Sequence, residues 1–206
     1  MKSIKLLLVI SMLFLVVGCG KTAAPQITVS TYPNWVNIKV DQTAVFQVPP
    51  SLVKTENLKS GQGNVECQSQ DKSKYAHVQF QTIASKEQLP RYGQGLGLKQ
   101  SEIANFGKIT KETIMEQEKF RNAQTSFSEW KDMQSEIING VECLHISYLR
   151  QIEKSPAVRV DRYTFFNKDR IHVLTVSYRQ AEKDYWQSKD NKLDDIVTTL
   201  KINKRS

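Results

Sequence analysis

Residues 130–150 read WKDMQSEIINGVECLHISYLR, in which two runs typical of β-strands flank Asn139-Gly140. An Asn-Gly pair between such runs favours a two-residue type I′ turn, because both residues tolerate the positive φ angles that this turn requires. The stretch therefore predicts an antiparallel hairpin with strands over 130–138 and 141–150. Strand-like runs follow at 158–166 and 170–178, so we expect four consecutive antiparallel strands.

The third of these strands is apolar on both of its faces. Tyr163 and Phe165 alternate with Thr164 and Phe166, and successive side chains of a strand point to opposite sides of the sheet. A strand of this kind belongs in the middle of a sheet that is covered on both faces. We therefore expect packed layers above and below this strand.

Further strands are predicted upstream. β-Branched and aromatic residues over 27–40 and 44–48 indicate one or two strands, which Pro49-Pro50 ends because proline cannot donate to a ladder. The runs 65–69 and 75–83 indicate another hairpin.

Two helices are expected to pack on this sheet. Isoleucines and a phenylalanine recur at helical spacing over 101–119. A closing helix is predicted from about residue 182 or 190 to residue 200, with an apolar stripe that should lie across the sheet. The stripe consists of Leu193, Ile196, Val197 and Leu200. The predicted fold class is α+β, an antiparallel β-sheet with helices packed on it, in a single globular domain over 27–206.

The N-terminus has the features of a secretory signal. Lys2 and Lys5 precede an apolar run over 6–17, which is too short to span a bilayer. The run ends in Val16-Val17-Gly18-Cys19, which resembles the lipobox of bacterial lipoproteins. The resemblance implies removal of residues 1–18, lipidation of Cys19 and a short tether over 19–26. It places the domain outside the cytoplasm, on the bacterial cell membrane or the outer membrane.

Composition and charge narrow the classes of partner. The chain of 206 residues is 39% hydrophobic and 24% charged, as expected for a globular domain rather than a disordered one. Its formal charge of +8, which falls by two when the signal peptide leaves, favours anionic surfaces. Because the predicted compartment contains no nucleic acid, we expect none as a partner. Acidic residues lie among the basic ones, which also favours an ordinary solvated surface.

A second resemblance concerns the folded domain. Phe46-Gln47-Val48-Pro49, the turn at 138–141, and the run from Tyr163 through 172–176 to Trp186 and Ile196 are similar to the PsbP-like fold, shared with DcrB-type envelope lipoproteins. The resemblance covers about residues 44–202. It implies an α/β/α sandwich that binds proteins or supports envelope complexes, and it carries no catalytic residues.

Catalytic and metal-binding patterns are lacking in the sequence. The three histidines, His77, His145 and His172, lie singly in alternating strands, and no serine stands in a nucleophile elbow. We therefore predict no catalytic residue, no metal and no cofactor. The alternative is a site assembled from residues distant in sequence, with His145 or His172 beside Glu142 or Asp161.

Two cysteines remain in the mature domain besides the anchor. In an oxidising envelope Cys67 and Cys143 could form a disulfide, or they could be two separate buried thiols. Three aromatic residues near the edge of the closing helix, Tyr178, Tyr185 and Trp186, are candidates for contact with a partner.

Together these features predict a lipid-anchored accessory or binding protein of the cell envelope, without catalytic activity. Its partners would be the membrane, through the lipid on Cys19, and an envelope protein. The alternative is an envelope hydrolase whose site is assembled by the fold.

Overall fold

The computed structural model describes residues 29–55 and 63–203. Cys19, the signal peptide and the predicted tether lie outside these residues, so lipidation stays a prediction. Among the helices described, none is long and apolar enough to cross a membrane.

The centre of the domain is an eight-stranded antiparallel sheet, called the main sheet below. Seven strands follow the order β3-β4-β5-β10-β9-β8-β6, and β7 pairs with β8 beside β6. The long strand β8 can hold both because β7 pairs with its first residues and β6 with its last. The strands are β3 (Leu52–Lys54), β4 (Val65–Ser69), β5 (Ala76–Ala84), β6 (Thr125–Ser128), β7 (Gln134–Ile138), β8 (Val141–Ile152), β9 (Val158–Asn167) and β10 (Arg170–Arg179).

The predicted hairpins are present. Asn139 and Gly140 join β7 to β8 with φ angles of 55° and 76°, the two positive values of a type I′ turn. The turn between β9 and β10 is shorter than predicted, because β9 extends to Asn167 and pairs there with Arg170. Strand β7 begins at Gln134 rather than at Trp130, whose ring stacks on Tyr148 with a centroid distance of 4.1 Å.

One face of the main sheet is covered by α1 (Gln100–Arg121), close to the predicted helix over 101–119. Ile103 packs with Leu144, Ile146 and Phe166, and Ile114 packs with tyrosine and valine side chains of β8 and β9. We call this side of the main sheet its helix face.

The opposite face, called the inner face, packs against a small three-stranded sheet. This sheet has the order β1-β2-β11 and consists of β1 (Val36–Val40), β2 (Ala44–Val48) and β11 (Lys201–Ile202). Phe46 of β2, Phe80 of β5 and Phe165 of β9 lie in the core between the two sheets. Because Phe165 and its neighbour Phe166 are both buried on opposite faces, the prediction of a doubly covered strand is confirmed.

The closing segment is not the α-helix that the sequence predicted. It contains a single helical turn, α2 (Lys183–Trp186), and a 3₁₀ segment, Leu193–Thr199. Lys192, with a φ of 36°, interrupts the helix, and the hydroxyls of Thr198 and Thr199 donate to carbonyls three residues earlier. In a 3₁₀ helix residues three apart share a face, so Leu193 and Ile196 are both completely buried. The apolar stripe thus packs as expected, against β2 and β10.

The layers differ accordingly from an α/β/α sandwich. The third layer is the small sheet together with α2 and the 3₁₀ segment, instead of a long helix. The predicted fold class, an antiparallel β-sheet with helices packed on it, is confirmed.

Candidate functional site

Three polar side chains meet on the inner face of the main sheet, where β7, β8 and β9 lie side by side. His145 of β8 is directly opposite Tyr163 of β9, and Asp161 is two residues away on the same face. Glu136 of β7 is opposite Cys143, which is two residues before His145. Since residues opposite each other in antiparallel strands share a face, Glu136, His145 and Asp161 all project from the inner face as diagonal neighbours, which lie within reach of one another.

The imidazole of His145 lies between the two carboxylates. Its Nδ1 is 2.7 Å from Oε1 of Glu136, and its Nε2 is 3.1 Å from Oδ1 of Asp161. The ring stacks on Tyr163 with a centroid distance of 4.3 Å and an interplanar angle of 9°. The side chains of His145 and Asp161 are each 17% exposed, and that of Glu136 is 39% exposed.

This geometry favours the protonated form of His145. Only the imidazolium carries two N–H groups, so only this form can donate from both ring nitrogens to the two carboxyl groups at once. Burial alone would lower the pKa of His145, but the hydrogen bonds and charges of Asp161 and Glu136 raise it above its ordinary value. The cluster is therefore a half-buried charged cluster in which His145 is hydrogen-bonded on both sides.

Two groups next to the cluster, Tyr163 and Asp194, also have raised pKa values. Burial, followed by the charges of Asp161 and Glu136, raises the pKa of Tyr163. Desolvation and the charge of Asp161 also raise the pKa of Asp194, whose Oδ1 accepts a hydrogen bond from Gln187 at 2.8 Å. The 3₁₀ segment thus adds a further carboxylate close to Asp161 and Tyr163.

The sequence analysis found part of this cluster. It left open four combinations, of His145 or His172 with Glu142 or Asp161, and the structure brings one of them together, His145 with Asp161. It also named Glu142, which instead lies on the helix face, where it accepts hydrogen bonds from Ser135 and from the backbone amide of Leu96. Glu136 was missed, although the register of a two-residue Asn-Gly turn places it opposite Cys143 and therefore beside His145.

The other two histidines have separate surroundings. His172 is buried, with Nδ1 3.1 Å from the hydroxyl of Thr82 and its ring stacked on Phe80. Nε2 of His77 lies 3.3 Å from Oε2 of Glu66. In the described part of the chain, no group of three or more His, Cys, Asp or Glu residues could hold a metal ion.

The two cysteines are free thiols. Cys67 is in β4 and Cys143 is in β8, so four inter-strand spacings, about 19 Å, separate them along the main sheet. A disulfide needs Cα atoms within about 7 Å, so the structure corrects the alternative in which they pair. Burial raises the pKa of both thiols to about 12.

The predicted aromatic contact surface is mostly internal. Trp186 is fully buried and donates its indole N–H to Glu182 at 3.1 Å, and Tyr178 is 3% exposed. Burial takes Tyr178 and Trp186 out of reach of a partner, which corrects that part of the prediction. Tyr185 is 39% exposed, and Lys74 lies over its ring at 5.3 Å from the centroid, so contact with a partner stays a prediction for Tyr185.

Comparisons with known proteins agree with this fold. No family model matches the chain, and no curated protein matches it in sequence. The solution structure of cyanobacterial PsbP (CyanoP) from Synechocystis sp. PCC 6803 is similar over 91% of this chain and 99% of that chain, with a TM-score of 0.55 and 9% sequence identity. The domain therefore has a PsbP-like fold.

Two further solved structures have lower scores. A crystal structure from Bacteroides thetaiotaomicron is similar over 79% of this chain and 46% of that chain, with 9% identity and a TM-score of 0.39. The protein of unknown function PA94 from Pseudomonas aeruginosa is similar over 75% of this chain and 89% of that chain, with 10% identity and a TM-score of 0.35.

Proposed function

We propose that this protein is a lipid-anchored accessory protein of the bacterial cell envelope, which binds a protein partner and has no catalytic activity. The observation that carries the proposal concerns the two ring nitrogens of His145. Both of its ring nitrogens are hydrogen-bonded to carboxylates, so neither is free to accept a proton from a substrate or a nucleophile. The PsbP-like fold and the lipobox-like Val16-Val17-Gly18-Cys19 support the same conclusion.

The alternative is an envelope hydrolase that uses the His145–Asp161 pair. In a catalytic triad the carboxylate binds one ring nitrogen, and the other nitrogen faces the nucleophile. Here Glu136 occupies that second position at 2.7 Å. The ion pair instead joins β7, β8 and β9 across the edge of the main sheet.

Activity measurements separate the two functions. The chain, purified from membranes in detergent, is expected to give no turnover of ester, phosphoester, peptide or glycoside substrates. The His145→Ala variant is the matched control, because any true activity of this site must disappear with it. Turnover by the wild-type protein that is lost in His145→Ala would establish the hydrolase.

The anchor is tested at Cys19. Labelled palmitate should enter the wild-type chain, and the Cys19→Ala variant should remain unlabelled and unprocessed or leave the membrane fraction. A wild-type chain that is released without label would contradict the proposal.

Partner binding is tested at Tyr185. Crosslinking in native membranes should produce a defined adduct that weakens when Tyr185 is changed to Ala. Phe120→Ala is a suitable control. Phe120 is 92% exposed at the end of α1, and its replacement removes a comparable aromatic ring from another surface. Equal adduct from both variants would exclude Tyr185 as the contact.

A further inference from the structure

Four chain segments meet at one end of the domain, which we call the proximal end. The β9–β10 turn accepts two hydrogen bonds from the segment after β5, from the amide of Ser85 to Asp169 and from that of Leu89 to Lys168. At the same end Asn203, after β11, donates its amide to Thr43 and accepts a hydrogen bond from Asn167 at 3.0 Å. The proximal end is thus a continuous hydrogen-bonded surface.

The chain also enters the described structure at this end. The amide of Ser30 donates to the carbonyl of Thr198, and that carbonyl also accepts a hydrogen bond from Asn139 at 2.6 Å. Asn139 belongs to the β7–β8 turn, which lies at the same end of the main sheet as the β9–β10 turn because β8 and β9 are antiparallel. Ser30, from which the segment back to Cys19 continues, therefore lies at the proximal end.

The reach of that segment limits the orientation of an anchored domain. The peptide units between Cys19 and Ser30 span at most about 38 Å when fully extended. From Val141 to Ile152, strand β8 covers about 37 Å and leads from the proximal end to the opposite, distal end with the β8–β9 turn. A lipid on Cys19 could therefore bring the distal end to the same bilayer only with this segment almost fully extended along the domain, whereas the proximal end needs no such extension.

Basic side chains predominate at the proximal end. Its segments 39–43, 84–91, 168–170 and 201–203 carry six basic and three acidic residues. Lys39 and Lys201 are both exposed and flank Val45 in one cross-strand row of the small sheet. Of the acidic groups, Asp41 already accepts a hydrogen bond from the amide of Gly63. Distal segments 70–75, 153–157 and 179–191 carry six basic and five acidic residues, whereas Lys192, Asp194 and Asp195 lie next to the entering chain, where the Tyr32 hydroxyl donates to Asp195 at 2.6 Å.

We propose that the proximal end faces the bilayer and contacts anionic lipid headgroups, with Lys39 and Lys201 as two of the contacting residues. This inference rests on the proposed lipid anchor. Basic side chains close to an anionic leaflet add to the attraction of an acyl anchor, and their effect falls off within a Debye length. The distal end, with Tyr185, then points away from the membrane toward a partner.

Fluorescence resonance energy transfer from the protein to labelled lipid measures which end of the domain faces the bilayer. The full lipidated chain carries a donor dye at Gln42→Cys, in the proximal β1–β2 turn, or at Ser155→Cys, in the distal β8–β9 turn. Both residues are exposed, whereas the native Cys67 and Cys143 are buried. The acceptor is a headgroup-labelled lipid in vesicles of phosphatidylcholine, with or without phosphatidylglycerol.

The expected result is stronger transfer from position 42 than from position 155, with a further increase at position 42 when phosphatidylglycerol is present. High salt and the double variant Lys39→Glu/Lys201→Glu should abolish that increase. The control Lys72→Glu/Lys189→Glu, which reverses two distal charges, should leave it intact. Equal transfer from both positions, or an increase that survives the proximal variant, would overturn the inference.

Failure of the anchor is recognised separately. The mass of the N-terminal peptide shows whether Cys19 carries acyl groups, and an unmodified peptide rejects the proposed function. The dyes then report whether the unlipidated chain adsorbs to phosphatidylglycerol through the same end. Adsorption through position 42 would still support the proximal contact, and its absence would reject it.

Discussion

Replacement of His145 by Gln should remove a pH-dependent part of the stability. The glutamine amide keeps one polar contact but no charge, so Glu136 and Asp161 face each other without the cation between them. Loss of one partner from a fully buried ion pair costs about 3–5 kcal/mol. Because Glu136 is 39% exposed and solvent screens its charge, we expect about 2 kcal/mol at pH 6.

The sign of the pH dependence follows from the raised pKa of His145. A group that binds its proton more tightly when folded stabilises the fold fully below its unfolded pKa, which is about 6.5 for histidine. That contribution is lost as the pH rises through the raised pKa of the folded state. The difference between wild type and His145→Gln should therefore be largest at pH 6 and fall below about 1 kcal/mol at pH 9.

Urea unfolding followed by tryptophan fluorescence at the two pH values measures this difference. His77→Gln is the matched control, because it removes an imidazole that contacts one carboxylate, Glu66, on the other face of the sheet. An unfolding free energy of His145→Gln that tracks the wild type in parallel from pH 6 to pH 9 would refute the ion-pair reasoning.

Three further outcomes are expected. Ile196→Ala should lower the unfolding free energy by about 2–4 kcal/mol in urea titrations, because the side chain is completely buried and leaves a cavity; a change below 1 kcal/mol would mean that the 3₁₀ segment is not part of the core. Gly140→Ala should cost about 1 kcal/mol in thermal unfolding, because Gly140 has a φ of 76°, and an unchanged Tm would contradict the type I′ turn. Cys67 and Cys143 should resist thiol reagents at pH 8 in the native protein and both react in denaturant, since burial raises each pKa to about 12; a cystine in the mass spectrum would refute the free thiols.

Local patterns were sufficient for the hairpins of the main sheet and for α1, although not for β3, β6 or the pairing of β5 with β10. Asn139-Gly140 specifies its turn through the φ angles of two adjacent residues, and the alternation from Tyr163 to Phe166 reveals a strand buried on both faces. These signals lie within a few residues of one another, so no tertiary contact is needed to detect them. The lipobox-like stretch at Cys19 is equally local, and the proposed lipid anchor rests on it.

Other features depend on contacts between distant segments, and only the tertiary structure decided them. The small sheet joins β2 to β11 across more than 150 residues. The stripe of Leu193 and Ile196 fits a 3₁₀ segment as well as an α-helix, and the choice depends on Lys192 and on threonine hydroxyls. Trp186 is an amphipathic residue whose burial follows from where α2 docks.

The candidate site shows the same division. The sequence contained His145 and Asp161 as residues able to form a charged pair, and it supplied the turn that sets the register of β7. Which carboxylates meet the imidazole depends on which face of the sheet each one takes. Glu136 and Glu142 are both close to His145 along the hairpin, but the pleat sends Glu142 to the helix face and Glu136 to the inner face. The second carboxylate occupies the remaining ring nitrogen and raises the pKa of His145, and it does so through a contact between strands that composition and spacing do not encode.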